Sequence, residues 1–138
     1  MRFMLLVKAS PDSEAGILPS RELVASMGKF NEEMMQAGVM HAGEGLHPTS
    51  KGARIRFSGD ERTVTDGPFT ATSELVAGFW IIDVKSKEEA LAWAKRVPFV
   101  DGEIELRQVF EAADFPPEIL PPEEAAREEA WRAKQQRK

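Results

Sequence analysis

The residues of this chain best suited to acid–base chemistry are two carboxylates and a histidine in or beside two glycine-containing motifs. Glu44 lies between two glycines in "GEGL", residues 43–46, and Asp66 opens "DGPF", residues 66–69. His47 directly follows the first motif. Two carboxylates in one cleft can share a proton, so that one acts as acid and the other as base, and a nearby imidazole can shuttle protons. The sequence therefore predicts catalytic roles for Asp66, Glu44 and His47.

Each carboxylate also has a purely structural explanation. In "DGPF", Gly67 frees the backbone, Pro68 fixes its own φ angle, and Phe69 is placed to form the wall of a cleft. The same residues are equally suited to an Asx-turn, in which Asp66 bonds to its own backbone and Phe69 enters the core. For Glu44 the alternative is an ion pair with one of three arginines. These are Arg54, Arg56 and Arg107.

The residues that flank these groups are expected to contact a ligand, together with the second histidine. The expected ligand-binding residues are Gly45, Leu46, Gly67, Pro68, Phe69 and His41. For His41 the alternative is a partly buried polar residue of a strand. No metal site is expected, because the histidines have neither H-x-H nor helical spacing. No cofactor is expected, because "GEG" lacks the further glycine and the strand-to-helix context of a phosphate-binding loop.

Composition narrows the class of protein. The chain has 138 residues, which suits one domain, and a formal net charge of −5. It has no cysteine, which excludes disulfides, thiolate catalysis and cysteine zinc sites. The acidic balance argues against a nucleic-acid partner, and no apolar run approaches the ~20 residues of a membrane span. We therefore expect a cytoplasmic protein that binds neither nucleic acid nor membrane.

Hydrophobic periodicity predicts the order β-α-β, hairpin, β-α-β. A helix over residues 20–37 is indicated by the Ser20 cap and by one apolar face, and a second helix follows a capping box of Ser86 and Glu89. The predicted strands are residues 2–9, 39–46, 53–58, 62–66, 75–84 and 103–110.

This order predicts an α+β sandwich of the ferredoxin-like type, with two helices on one face of the sheet. The apolar runs "FMLLV" and "GFWII" indicate that the other face is buried too, and a second copy of the sheet would bury it. We therefore expect residues 1–112 to form a homodimer in which the two sheets pack together. Residues 113–138 are expected to form a Pro-rich linker and a charged C-terminal helix; the alternative is a solvated, partly frayed extension.

Three segments in order, "MRFMLLVKA", "GVMHAGEGLHP" and "TVTDGPFTATSELVAGFWIIDVKSKEEALAWAKRVP", resemble the DGPF branch of the YCII-related family over about residues 1–110. The resemblance implies a ferredoxin-like subunit that dimerises through its sheet as a dimeric α+β barrel. Some members of the wider family carry a His–Asp pair in the cleft. The first long helix of this chain has no histidine, so that pair is not carried over to this chain. Relatives of the branch are associated with extracytoplasmic-type sigma factors, which implies a regulatory connection.

Two functions are compatible with these patterns. The first is a protein that binds an unidentified small molecule in a cleft between sheet and helices, and that acts as an enzyme by lyase-like carboxylate chemistry. The second is a dimeric regulatory or interaction module with the C-terminal helix as its contact surface. The sequence favours the first, because the unusual backbone motifs cluster with carboxylates.

Overall fold

A four-stranded antiparallel sheet organises the chain in the computed structural model, which describes residues 1–70 and 74–136. The strands are β1 (Arg2–Lys8), β2 (Met40–Gly45), β3 (Ala53–Ser58), β4 (Glu61–Asp66), β5 (Val76–Asp83) and β6 (Ile104–Gln108). The helices are α1 (Pro11–Glu14), α2 (Arg21–Gln36), α3 (Lys87–Ala94) and α4 (Pro122–Gln136). The main sheet has the order β2-β5-β1-β6, and β3 and β4 form a separate two-stranded sheet. This confirms the predicted α+β, ferredoxin-like fold class.

Helix caps set the helix starts largely as the sequence predicts. The Ser20 side chain accepts a hydrogen bond from the Leu23 N–H and caps α2. The Ser86 side chain caps α3 by accepting from the Glu89 N–H, but the Glu89 carboxylate accepts from the Lys85 N–H instead of completing the capping box. The short helix α1 lies where the sequence predicted only a loop.

The hydrophobic core fills the layer between one face of the sheet and the helices. The Trp80 ring on β5 packs edge-on against Phe30 of α2, with ring centroids 5.7 Å apart. The indole N–H of Trp80 donates to the Asn31 side-chain oxygen at 2.8 Å, so the polar atom of this buried side chain is satisfied. The buried core residues are Phe3, Leu5, Phe30, Met34, Val39, Trp80, Ile82, Val84, Ala90 and Val97.

The opposite face of the sheet, here called the open face, is not covered by α2 or α3. Since side chains alternate along a strand, burial of Phe3 and Leu5 places Met4 on this face. Met4 lies opposite Ile81 of β5, and both side chains are half-buried. The open face is thus apolar in its centre without being exposed.

The C-terminal segment ends in helix α4, which carries two ion pairs within the helix. Arg127 pairs with Glu124 at 2.7 Å, and Arg132 lies 3.8 Å from Glu128, at a four-residue spacing that favours such pairs. Residues 137 and 138 lie outside the described residues. Within residues 1–70 and 74–136, no helix is both long and apolar enough to cross a membrane.

The contact between Gly43 and Trp80 gives a direct test of this packing. A Cβ atom on Gly43 would lie 2.7 Å from Cδ1 of Trp80 and 2.8 Å from Cε of Met40. We expect Gly43→Ala to lower the free energy of unfolding by about 1–3 kcal/mol, because the indole is fixed in the core. Urea denaturation measures the change.

Gly45→Ala is the matched control on the same strand. A Cβ atom there meets nothing within 4 Å, so its effect should stay within about 0.5 kcal/mol. Equal destabilisation by the two variants would contradict the described contact.

Candidate functional site

The three residues with predicted catalytic roles lie on the surface. Glu44 lies opposite Phe79 on the open face, and Asp66 ends β4 opposite Ala53. Within the described residues, the side chains of Glu44, His47 and Asp66 make no hydrogen bond or ion pair, with each other or elsewhere. Their catalytic roles therefore remain predictions.

In the described part of the chain, Glu44 and Asp66 also lack the contacts that their structural explanations require. Arg107 pairs with Glu105 at 3.2 Å, and the Arg54 guanidinium lies 3.8 Å from the ring centroid of Phe69. Asp66 forms no Asx-turn hydrogen bond there. The six expected ligand-binding residues differ in solvent exposure. Gly45, Leu46 and Pro68 are exposed, whereas Gly67, Phe69 and His41 are half-buried.

Close backbone packing explains why glycine occupies position 67. A Cβ atom there would lie 1.8 Å from the carbonyl oxygen of Thr49, far inside any contact distance. The Gly67 N–H donates to the Gly52 oxygen at 3.0 Å, and the Phe69 N–H donates to Oγ1 of Thr49 at 3.0 Å. The DGPF loop is thus held against the turn at Thr49–Lys51.

Glu14 completes this arrangement and was missed by the sequence reasoning. Its carboxylate accepts hydrogen bonds from both the N–H and the hydroxyl of Thr49. Thr49 therefore links α1 to Phe69 of the DGPF loop through one side chain. The partners are 35 and 20 residues apart in sequence, and no local pattern signals such a pairing.

Replacing the Thr49 hydroxyl tests this link. Thr49→Val keeps the shape of the side chain but leaves the Phe69 N–H and the Glu14 carboxylate without that partner. We expect the free energy of unfolding to fall by about 1–3 kcal/mol in chemical denaturation. Ser50→Ala, at the exposed neighbouring position, is the control, and an equally small effect of both variants would show that the link is energetically unimportant.

A cleft of about 340 Å³ lies at the opposite end of the sheet, where β1 begins and β5 ends. His41 reaches it from β2, at a point where the pairing register between β2 and β5 shifts. We refer to it as the His41 cleft. It is lined by Met1, Arg2, His41, Asp83, Glu111, Glu129, Arg132 and Ala133.

Charged groups in the His41 cleft hold one another in place. The Arg2 guanidinium makes two hydrogen bonds to the Glu111 carboxylate, at 2.7 and 3.3 Å. The amino group of Met1 donates to the Val84 oxygen at 2.8 Å and lies 3.3 Å from a carboxylate oxygen of Asp83. These contacts fix a cation and an anion beside the imidazole.

Helix α4 adds a further cation to the cleft. Arg132 lies 3.7 Å from Glu111, a longer contact than the one between Arg2 and the same carboxylate. In the described part of the chain, no cluster of three His, Asp or Glu side chains is arranged to hold a metal ion.

The environment of His41 favours its neutral form. Burial is the main cause that lowers its pKa from the usual 6.5, and the positive charge of Arg2 acts in the same direction. The negative charges of Asp83 and Glu111 oppose the shift without reversing it. At neutral pH the cleft therefore presents an uncharged imidazole, which can accept a proton.

Sequence reasoning named His41 as a ligand-binding residue but missed the charged groups around it. Arg2 and Glu111 are 109 residues apart, so their pairing depends entirely on the fold. The one local signal is that Arg2 and Asp83 sit at strand ends on the face opposite Phe3 and Ile82.

The lowered pKa of His41 predicts a pH dependence of stability. The unfolded chain takes up a proton at this histidine first as the pH falls, so the free energy of unfolding should decrease as the pH drops below 6.5. His41→Gln should remove this component and give a shallower slope in denaturant titrations at several pH values. His47→Gln is the control and should keep the wild-type slope; identical slopes for wild type and His41→Gln would contradict the described burial.

Comparison with known proteins gives a family match over most of the chain. The profile of the family described as "YCII-related domain" matches residues 1–113. An uncharacterised protein of Rhizobium meliloti (strain 1021) is 39% identical over 75 residues, or 54% of this chain, and the chain spans 57% of that relative's length.

A solved structure is similar at a lower level. It is 5-chloro-2-hydroxyhydroquinone dehydrochlorinase from Burkholderia phenoliruptrix AC1100, in complex with 2,5-dihydroxybenzoquinone. The match has 13% sequence identity and a TM-score of 0.43, and it covers 84% of this chain and 100% of that chain. A likeness at this level does not transfer residue roles.

Proposed function

The chain belongs to the YCII-related family, and we propose that it binds a small polar molecule in the His41 cleft and that His41 takes a proton from it. The observation that carries the proposal is an imidazole that lies at a strand irregularity and lines the same cleft as a fixed guanidinium, Arg2, and a carboxylate, Asp83. A few polar groups that converge in a concave site commonly fix the orientation of a ligand.

The charges around the imidazole suit proton abstraction. A neutral imidazole can act as a general base. Cations that are already in position would stabilise the anion left on the ligand more strongly than cations that must first reorganise. Arg2 is held by two hydrogen bonds, and Arg132 is held more loosely, so α4 supplies the more adjustable charge.

The size and lining of the cleft limit the ligand class. A volume of about 340 Å³ is at the small end of known ligand sites. The lining is mainly charged, and the nearest part of the open face is apolar. We therefore favour a small hydroxy or keto compound with an acidic proton, whose polar end faces Arg2 and Asp83.

Glu44 lies outside the His41 cleft. It is on the open face opposite Phe79, three residues beyond His41 on the same strand, or roughly 10 Å away. The catalytic roles predicted for Glu44, Asp66 and His47 therefore do not enter the proposal.

Ligand-induced stabilisation tests the proposal with a defined set of probes. Small hydroxy acids, keto acids and phenols are added singly, and the melting temperature is measured by scanning fluorimetry. We expect at least one class to raise the melting temperature of the wild type and of His47→Gln. The same compounds should leave His41→Gln unchanged, because the proton acceptor of the cleft is gone.

A compound that stabilises all three proteins equally would bind elsewhere and would contradict the role of His41. Native mass spectrometry of gently purified protein is the independent measurement. A retained small molecule should be present on the wild type and reduced on His41→Gln. Equal retention by the two proteins would count against the cleft.

A further inference from the structure

The hairpin β3–β4 is the least covered part of the regular structure. All six residues of each strand are exposed. An isolated two-stranded hairpin is marginally stable in water, because it has no layer to pack on. Contacts at its base hold it to the chain, through the Gly67–Gly52 hydrogen bond and the stacking of Arg54 on Phe69.

The two faces of the hairpin differ in character. Cross-strand pairing puts Ile55 beside Val64, and Phe57 beside Arg62, on one face. The exposed fractions are 56% for Ile55, 68% for Phe57 and 63% for Val64, and these three residues adjoin one another on the same face. The other face carries Arg54, Arg56, Thr63 and Thr65.

The apolar face also carries one charge of each sign, at opposite ends. Arg62 and Asp66 are four residues apart on β4, or roughly 13 Å, with Val64 midway between them. The Arg62 guanidinium lies 4.6 Å from the Phe57 ring centroid, and its Nη1 atom donates to the oxygens of Gly59 and Glu61. Within the described residues, Nη2 of Arg62 is left for another acceptor.

This arrangement is complementary to itself under a two-fold rotation. An axis in the contact plane, perpendicular to the strands and passing through the Ile55–Val64 pair, brings each of these two residues against its own counterpart. The same rotation brings Phe57 against the partner's Ala53, a large side chain against a small one. It also brings Arg62 against the partner's Asp66, and the symmetry makes this ion pair twice.

We propose that the apolar face of the hairpin is an interface between two copies of this chain, in which Arg62 pairs with the partner's Asp66. Charge and size complementarity select a second copy, because an unrelated partner would need the same pattern by coincidence. The apolar side chains of the hairpin are more exposed to solvent than those of the open face, where Met4 and Ile81 are half-buried.

Cysteine capture tests the proposed contact directly, since the chain has no cysteine of its own. Val64 lies beside the proposed axis and faces its own counterpart across strands packed roughly 10 Å apart, which is too far for a disulfide. Val64→Cys should therefore give a covalent dimer with a short bis-maleimide cross-linker. Thr63→Cys on the opposite face is the matched control and should remain monomeric on a denaturing gel. Failure of Val64→Cys to cross-link, or equal cross-linking of Thr63→Cys, would overturn the proposal.

Charge reversal then tests the ion pair. In the Val64→Cys background, Arg62→Asp puts two carboxylates together at each pairing position, and Asp66→Arg puts two cations there. Each change alone should slow cross-linking about tenfold, through weaker association of the two copies.

Mixing the two charge-reversed proteins should restore fast cross-linking, because each then offers the charge that the other lacks. Mass spectrometry identifies the mixed dimer by its mass. If Arg62 and Asp66 acted only within their own chain, mixing the two variants would not restore cross-linking. Absence of this rescue would therefore overturn the proposed pairing. Circular dichroism confirms that the variants remain folded, as expected for exposed positions.

Discussion

The structure depends on a sheet that the helices α2 and α3 cover on one face only. Alternation along β1 and β5 sends every second side chain into the core and the others to the open face. The core side is fixed by Trp80, whose ring packs on Phe30 and whose N–H is satisfied by Asn31. Because these contacts set the register, they also determine which groups the open face presents.

Arg2, Asp83 and His41 meet at one end of the open face because of where the strands begin and end. β1 begins at Arg2, β5 ends at Asp83, and the two are direct partners in the ladder. The irregularity in β2 adds His41 to the same corner, and the chain returns after β6 to place Glu111 against Arg2. A charged cleft thus forms from residues that are each ordinary in sequence.

The sequence predicted the main strands and helices, but neither the short helix α1 nor the cleft. The apolar face of α2 and the continuous apolar strand β5 predict their structures through periodicity, and they were found where expected. The DGPF motif also signals an unusual backbone, and the close approach of Gly67 to Thr49 explains it. No periodic pattern specifies a pair such as Arg2–Glu111, since only the folded sheet brings these residues together.

The expectation that Glu44 and Asp66 work as one pair rested on similar motifs rather than on geometry. Glu44 belongs to the main sheet, whereas Asp66 belongs to the separate hairpin, so their positions are set by different packing. The predicted sheet-mediated dimer and the regulatory module stay predictions. In the proposed hairpin interface, which uses a different surface, Asp66 has a role outside acid–base chemistry.

The titration of the His41 imidazole, followed by NMR, tests the central claim most directly. The chain has two histidines, so comparison with His47→Gln assigns the signal without ambiguity. The account predicts a midpoint below 6.5 for His41, so that the imidazole is neutral at pH 7. A midpoint at or above 6.5 would contradict it, because burial and Arg2 would then not control the group proposed to accept the proton.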